Sequence, residues 1–113
     1  RSIDILQPDV TWCGGLTDLL RISSMAAAYD IPVVPHGSGA YSYHFVITQP
    51  HCPFCEYLNT SPDCLSFPSV FGNLFENEIL PVNGKIKLNN EPGFGMKLNR
   101  KDLNLNRVFP SNE

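Results

Sequence analysis

Long apolar runs are missing from this sequence of 113 residues, and so is any excess of positive charge. No stretch approaches the roughly 20 apolar residues that a membrane helix needs, and no charged-then-apolar leader opens the chain. A cytoplasmic protein with no membrane partner is the expectation. Eight Lys and Arg stand against eleven Asp and Glu, for a net charge of −3, and the basic residues are scattered apart from Lys85, Lys87 and the region 97–101. A surface that tracks phosphates is therefore not expected, nor a nucleic-acid partner. The sequence also lacks an internal repeat of fixed period and any low-complexity tract. Its four cysteines do not suggest a disulfide framework in a cytosolic protein. An initiator Met is absent too: the chain goes from Arg1 straight into a strand-like run, which reads as an internal piece of a longer protein.

What is present supports a small folded unit, since 42% of the residues are hydrophobic and 17% charged, enough for a core and a solvated surface. The chain is organised around residues 31–38, IPVVPHGS. Ile31, Val33 and Val34 are apolar without alternation, as in a strand of a parallel sheet covered on both faces. His36 follows where that strand stops. In parallel α/β architectures the carboxyl ends of strands carry the chemistry, because the chain turns there into loops above a rigid floor. Gly37 and Gly39 leave the imidazole open to a ligand, and Ser38 between them is the candidate to bind substrate.

Upstream, residues 2–6 read as a short strand stopped by Pro8, with Asp9 just beyond its end. Gly14-Gly15 permits a tight turn into a helix, for which Thr17 is the expected N-cap and Asp18 a favourable first-turn residue. From Leu16 to Tyr29 the apolar positions recur at helical spacing, and Asp30 and Pro32 end the helix. The run 41–48, YSYHFVIT, fits a helix or a strand on composition. A helix is favoured, because parallel strands need a crossover. Residues 54–58, FCEYL, read as a third strand with Phe54, Glu56 and Leu58 on one side. Beyond residue 59 the composition shifts to turns and short strands, with Asn83-Gly84 as a hairpin signal and PGFG at 92–95 as another turn. The expected domain division is thus 1–58, an α/β part, and 59–113, a β-rich or irregular segment.

Asp9 and His36 are 27 positions apart, and His36 and Glu56 are 20 apart, each a plausible strand-helix step. Adjacent parallel strands lie about 4.8 Å apart, so side chains at neighbouring strand ends can meet. A carboxylate on one imidazole nitrogen fixes the tautomer and leaves the other nitrogen to move a proton. Asp9 is expected to orient and His36 to act. Each residue alone has a bland reading: a hydrogen-bonded structural histidine, a turn aspartate, a surface-paired glutamate. A rival motif is Cys52-Pro53-Phe54-Cys55, with thiol-disulfide spacing, or a zinc site if His51 and Cys64 join it. The residues after Cys55 do not open a helix that would lower a thiol pKa, and no second Cys pair completes a knuckle. Cys13 reads as a small packing residue.

The stretches DILQPDVTWCGGLT, IPVVPHGSGAYSYHFVIT, PFCEYLN and PVNGKIKLNNEPGFGMKLN together resemble the carboxyl-terminal part of the enolase superfamily, mandelate racemase branch, and within it the acid-sugar dehydratases. The resemblance implies a fold class of α/β, the last three strands or so of a (β/α)8 barrel, followed by a segment that joins the capping domain. It places Asp9, His36 and Glu56 at the ends of the sixth, seventh and eighth strands. His36 would take the C2 proton of a six-carbon deoxy sugar acid and return it to the departing C3 hydroxyl. Glu56 would hydrogen-bond the developing enolate. The family's Mg2+ would be held by acidic residues upstream of this chain, so the isolated piece is expected to be inactive, or to serve a structural or interaction role, and its longer parent to form a homo-oligomer.

Overall fold

The computed structural model describes residues 2–37 and 39–101. Helix α1, Leu16–Ala28, buries Leu19, Ser23 and Ala26, positions four and three apart that form one stripe. Gly15 occupies the N-cap and makes no side-chain cap hydrogen bond, so the expected cap, Thr17, lies inside the first turn. The backbone turns at Gly14-Gly15, both at positive φ, and this starts the helix earlier than a threonine cap would. At the other end Asp30 adopts φ 52, its N–H donates to Ala27 O at 3.1 Å, and Ile31 N–H donates to Ala26 O at 2.9 Å. These two bonds make a Schellman end, which closes the helix where Asp30 and Pro32 were expected to close it.

From Ile31 the chain runs back beside residues 2–9. Leu6 N–H donates to Pro32 O, Val34 N–H to Leu6 O, and His36 N–H to Pro8 O, each at 2.9 Å. Leu6 bridges Val33 and Asp9 bridges His36, both in parallel. On the other side, Val33 N–H donates to His51 O at 3.3 Å, so residues 31–36 run between the first segment and the start of the third. Among the described residues these are isolated bridges rather than continuous strands, and 54–58 carries no ladder. Prolines 8, 32, 35, 50 and 53 explain much of this, since each removes a donor from the pairing segments.

Helix α2, Ala40–Thr48, buries Ala40, Ser42, Tyr43 and Phe45, and the crossover expected for YSYHFVIT is helical. Phe45 packs with Val10, Leu19, Ala26 and Val33 in one core. Ala40 and Tyr43 pack with Ile79 in a second, joined by Cys55, Tyr57, Ile86, Leu88 and Met96. A helix covered on two sides has no polar face, hence its ambiguous sequence. Residues 59–101 are held to α2 by this second core. Val82 and Lys85 exchange both backbone bonds, at 2.9 and 3.1 Å, around Asn83 (φ 50) and Gly84 (φ 70), the two left-handed positions of an Asn-Gly turn. Gly95 N–H donates to Pro92 O, closing the PGFG turn. Phe75 pairs antiparallel with Leu98, a pairing the sequence reading does not anticipate. Glu78 anchors the preceding loop by accepting from Ser69 Oγ and from the N–H of Val70 and Phe71. Among the described residues no helix is long and apolar enough to cross a membrane.

Candidate active site

His36 is carried on a rigid base. Val33, Val34 and Pro35 beneath it are buried, and its own N–H is tied to Pro8 O. Its side chain remains 49% exposed, as a group meeting a ligand must be. Parallel bridging partners point to the same face of a sheet, so Asp9 and His36 share one, as expected. The chain then turns sharply at Gly37, at φ 80, where a side chain would be strained. That turn aims Gly37 N–H at Glu56 Oε2, 2.5 Å away.

His36 Nδ1 lies 2.9 Å from the same Glu56 oxygen. The expected orienting carboxylate was Asp9, but the ring nitrogen meets Glu56, because Asp9 turns toward its own loop. Asp9 Oδ1 accepts from Thr11 N–H at 2.7 Å and from Thr11 Oγ at 2.5 Å. The Thr11 hydroxyl foremost, then backbone N–H groups and the charge of His36, outweigh partial burial and hold the Asp9 carboxyl below the usual range. Asp9 is thus a retained negative charge near the imidazole. Burial and the Asp9 charge push the Tyr41 phenol up, and Thr11 and Tyr41 line a hollow of about 320 Å³ with Val10, Leu16 and Phe94.

Glu56 was expected to bond substrate. Its oxygens are instead taken up by the protein: Oε2 by Gly37 and His36, and Oε1 by Gln7 Nε2 at 3.2 Å. The flanking Phe54 and Leu58 are exposed. Sequence reading missed Gln7 and Thr11, which carry no titratable group; their nearness to Asp9 was the available signal. Ser38 lies outside the described residues.

The CPFC motif is not assembled for chemistry. All four cysteines are free thiols, and burial pushes Cys52 and Cys55 up, away from the thiolate that redox work requires. His51 Nε2 lies 2.9 Å from Ser23 Oγ, and it borders a separate hollow of about 340 Å³ with Ile31, Pro32 and Pro50, at the opposite end of the 31–36 segment. Among the described residues no group of three or more His, Cys, Asp and Glu is placed to hold a metal ion.

Asp9 and His36 stand at the ends of two parallel-paired segments, with Glu56 brought against His36 and two helices packed nearby, an α/β arrangement. The chain belongs to the enolase C-terminal domain-like family, whose model matches residues 1–102. It is 48% identical over 110 residues to a Caldivirga maquilingensis protein named "Putative L-rhamnonate dehydratase", covering 97% of this chain and 27% of that one. The crystal structure of L-rhamnonate dehydratase from Gibberella zeae aligns with a TM-score of 0.80 and 54% identity, over 88% of this chain and 26% of that chain. The same enzyme complexed with Mg aligns with a TM-score of 0.78 and 54% identity, over 89% and 25% of the two chains. A mandelate racemase-subgroup enolase from Agrobacterium tumefaciens aligns with a TM-score of 0.73 at 26% identity, over 88% and 27%. The chain thus spans about a quarter of the length of these relatives.

Proposed function

We propose that this chain supplies the acid-base end of a sugar-acid dehydratase acting on L-rhamnonate or a near relative, as one part of a longer protein. The single observation that carries the reading is His36, half exposed at a parallel segment's end, with Nδ1 anchored 2.9 Å from Glu56. An acceptor at Nδ1 requires that nitrogen to hold the proton, which leaves Nε2 with a free lone pair. Nε2 takes the proton at C2, next to the substrate carboxylate. The imidazolium so formed delivers a proton to the departing C3 hydroxyl. Water leaves, and the enol collapses to a 2-keto-3-deoxy acid. Ser38 is the substrate-binding residue of this reading, by its place in the sequence next to Gly37.

Magnesium, present in one relative's crystal structure, would be held by residues other than those described. The remaining parts of the reading follow from the family: residues 1–58 as a barrel portion with its last three strands, 59–113 as a segment joining a capping domain, a homo-oligomer, and a cytoplasmic site of action. Support for the substrate comes from identities of 48% and 54% to proteins bearing that name. The test is the complete polypeptide with L-rhamnonate in D2O. His36→Asn is expected to lose both C2 exchange and dehydration; continued dehydration would assign the proton transfer to another group.

A further inference from the structure

We propose that Phe94, on the PGFG turn of the carboxyl-terminal segment, is a positioning residue for His36 and the glycines that follow it, and that it acts through the ring of Tyr41. The inference deepens the dehydratase reading and rests on it for its meaning in catalysis. Between His36 and helix α2 the chain has glycine at 37 and 39, which impose no conformation of their own. Their arrangement is set by neighbours. On one side Gly37 N–H is tied to Glu56. On the other, Tyr41 folds back over Gly39: a Cβ there would stand 2.8 Å from Tyr41 Cζ and 2.9 Å from Cε1. Gly39 has φ 173, extended backbone open to any residue, so glycine is required there for space and not for conformation.

Phe94 is what keeps the Tyr41 ring in that place. Its own ring meets Tyr41 edge to face, with centroids 6.3 Å apart at 83°, and meets His44 at 5.8 Å and 65°. Tyr41 and His44 are three positions apart on α2 and share a face, so Phe94 is seated on both. The turn that presents it is held from three sides: Gly95 N–H closes on Pro92 O, and Gly95 O accepts from Asn77 Nδ2 at 3.0 Å and from Asn89 Nδ2 at 2.9 Å. Phe94 and Tyr41 also line one hollow with Val10 and Thr11, the two residues after Asp9. A contact made by the carboxyl-terminal segment thus reaches the backbone on which His36 is mounted.

The complete polypeptide carries the test, in two readouts. Amide hydrogen exchange followed by mass spectrometry reads residues 36–41 without any substrate, so it decides even if L-rhamnonate is not turned over; that failure would count against the dehydratase reading alone. In Phe94→Ala, exchange in a peptide spanning 36–41 should rise about five-fold, the loss of one or two aromatic contacts, while exchange in α1 stays as it was. The kcat for L-rhamnonate should fall about ten-fold with KM within about two-fold, because a displaced His36 costs turnover more than binding. Phe94→Tyr, which keeps the ring, should restore both, and Phe94→Leu, a milder change, should show the same pattern at smaller size. Gly39→Ala drives a methyl group against Tyr41 and should lower kcat in the same way. Combined with Phe94→Ala, which lets the Tyr41 ring yield, the two losses should overlap and not multiply. Unchanged exchange over 36–41 in Phe94→Ala, an equal rise in α1, or losses that multiply would overturn the proposal.

Discussion

Thr11 shows how much a neutral side chain contributes to a charged site. Its hydroxyl and N–H both bond Asp9 Oδ1, and the hydroxyl is the leading cause of the lowered Asp9 carboxyl. A carboxyl whose folded pKa lies below its unfolded value contributes stability above the unfolded value, and loses it as pH falls through the folded one. Thr11→Val keeps the N–H and removes the hydroxyl. Asp9 should then titrate nearer the ordinary 3.8, seen in its carboxyl 13C shift, and the variant should be less stable than the parent at neutral pH but equal to it below the Asp9 value. An equal deficit at both would assign the loss to packing. At this scale Asp9, His36 and Glu56 are legible as candidates, because strand ends in parallel sheets can be placed from apolar runs and prolines. Which carboxylate meets Nδ1 is not legible. That contact turns on side-chain torsions, which residue types do not announce.

Helices α1 and α2 differ in how their sequences declare them. Helix α1 has a one-sided stripe and a loop that ends it, so both its existence and its stop can be read in advance. Its start is displaced from Thr17, since Gly14-Gly15 does the turning. Helix α2 is buried against two cores, and only the need for a crossover between parallel segments settles its type. The strands are legible in position but not in extent, for the prolines that mark their ends also strip donors from them. The Phe75 and Leu98 pairing joins segments that are 23 positions apart and not linked by a single tight turn, and no local signal could find it. Leu19 is fully buried on α1 and shares its core with Val33 and Phe45. Leu19→Ala should therefore destabilise the chain by about 3 kcal/mol, measured by urea unfolding. A loss under about 1 kcal/mol would mean that this face of α1 is not set on the core with Val33 and Phe45.

For the molecule as a whole, the electrostatics of the site decide what the chain can do unaided. In the proposed reaction the two carboxylates near His36 would repel an anionic substrate and oppose the doubly charged ene-diolate formed when C2 loses its proton. Stabilising that intermediate needs concentrated positive charge. Arg21 is engaged with Asp18 and Lys97 with Glu91, and no metal-binding group of three stands among the described residues. The family motifs, legible across most of the sequence, point to the proposed site and at the same time imply a partner set of charges outside it. The 113-residue chain by itself should therefore produce no detectable 2-keto-3-deoxy acid from L-rhamnonate, with or without added magnesium, even when amide spectra show it folded with His36 against Glu56. The complete polypeptide should turn the substrate over under the same conditions. Product formed by the short chain, and lost in its His36→Asn variant, would show that an imidazole between two carboxylates suffices for the elimination, and would refute the charge argument.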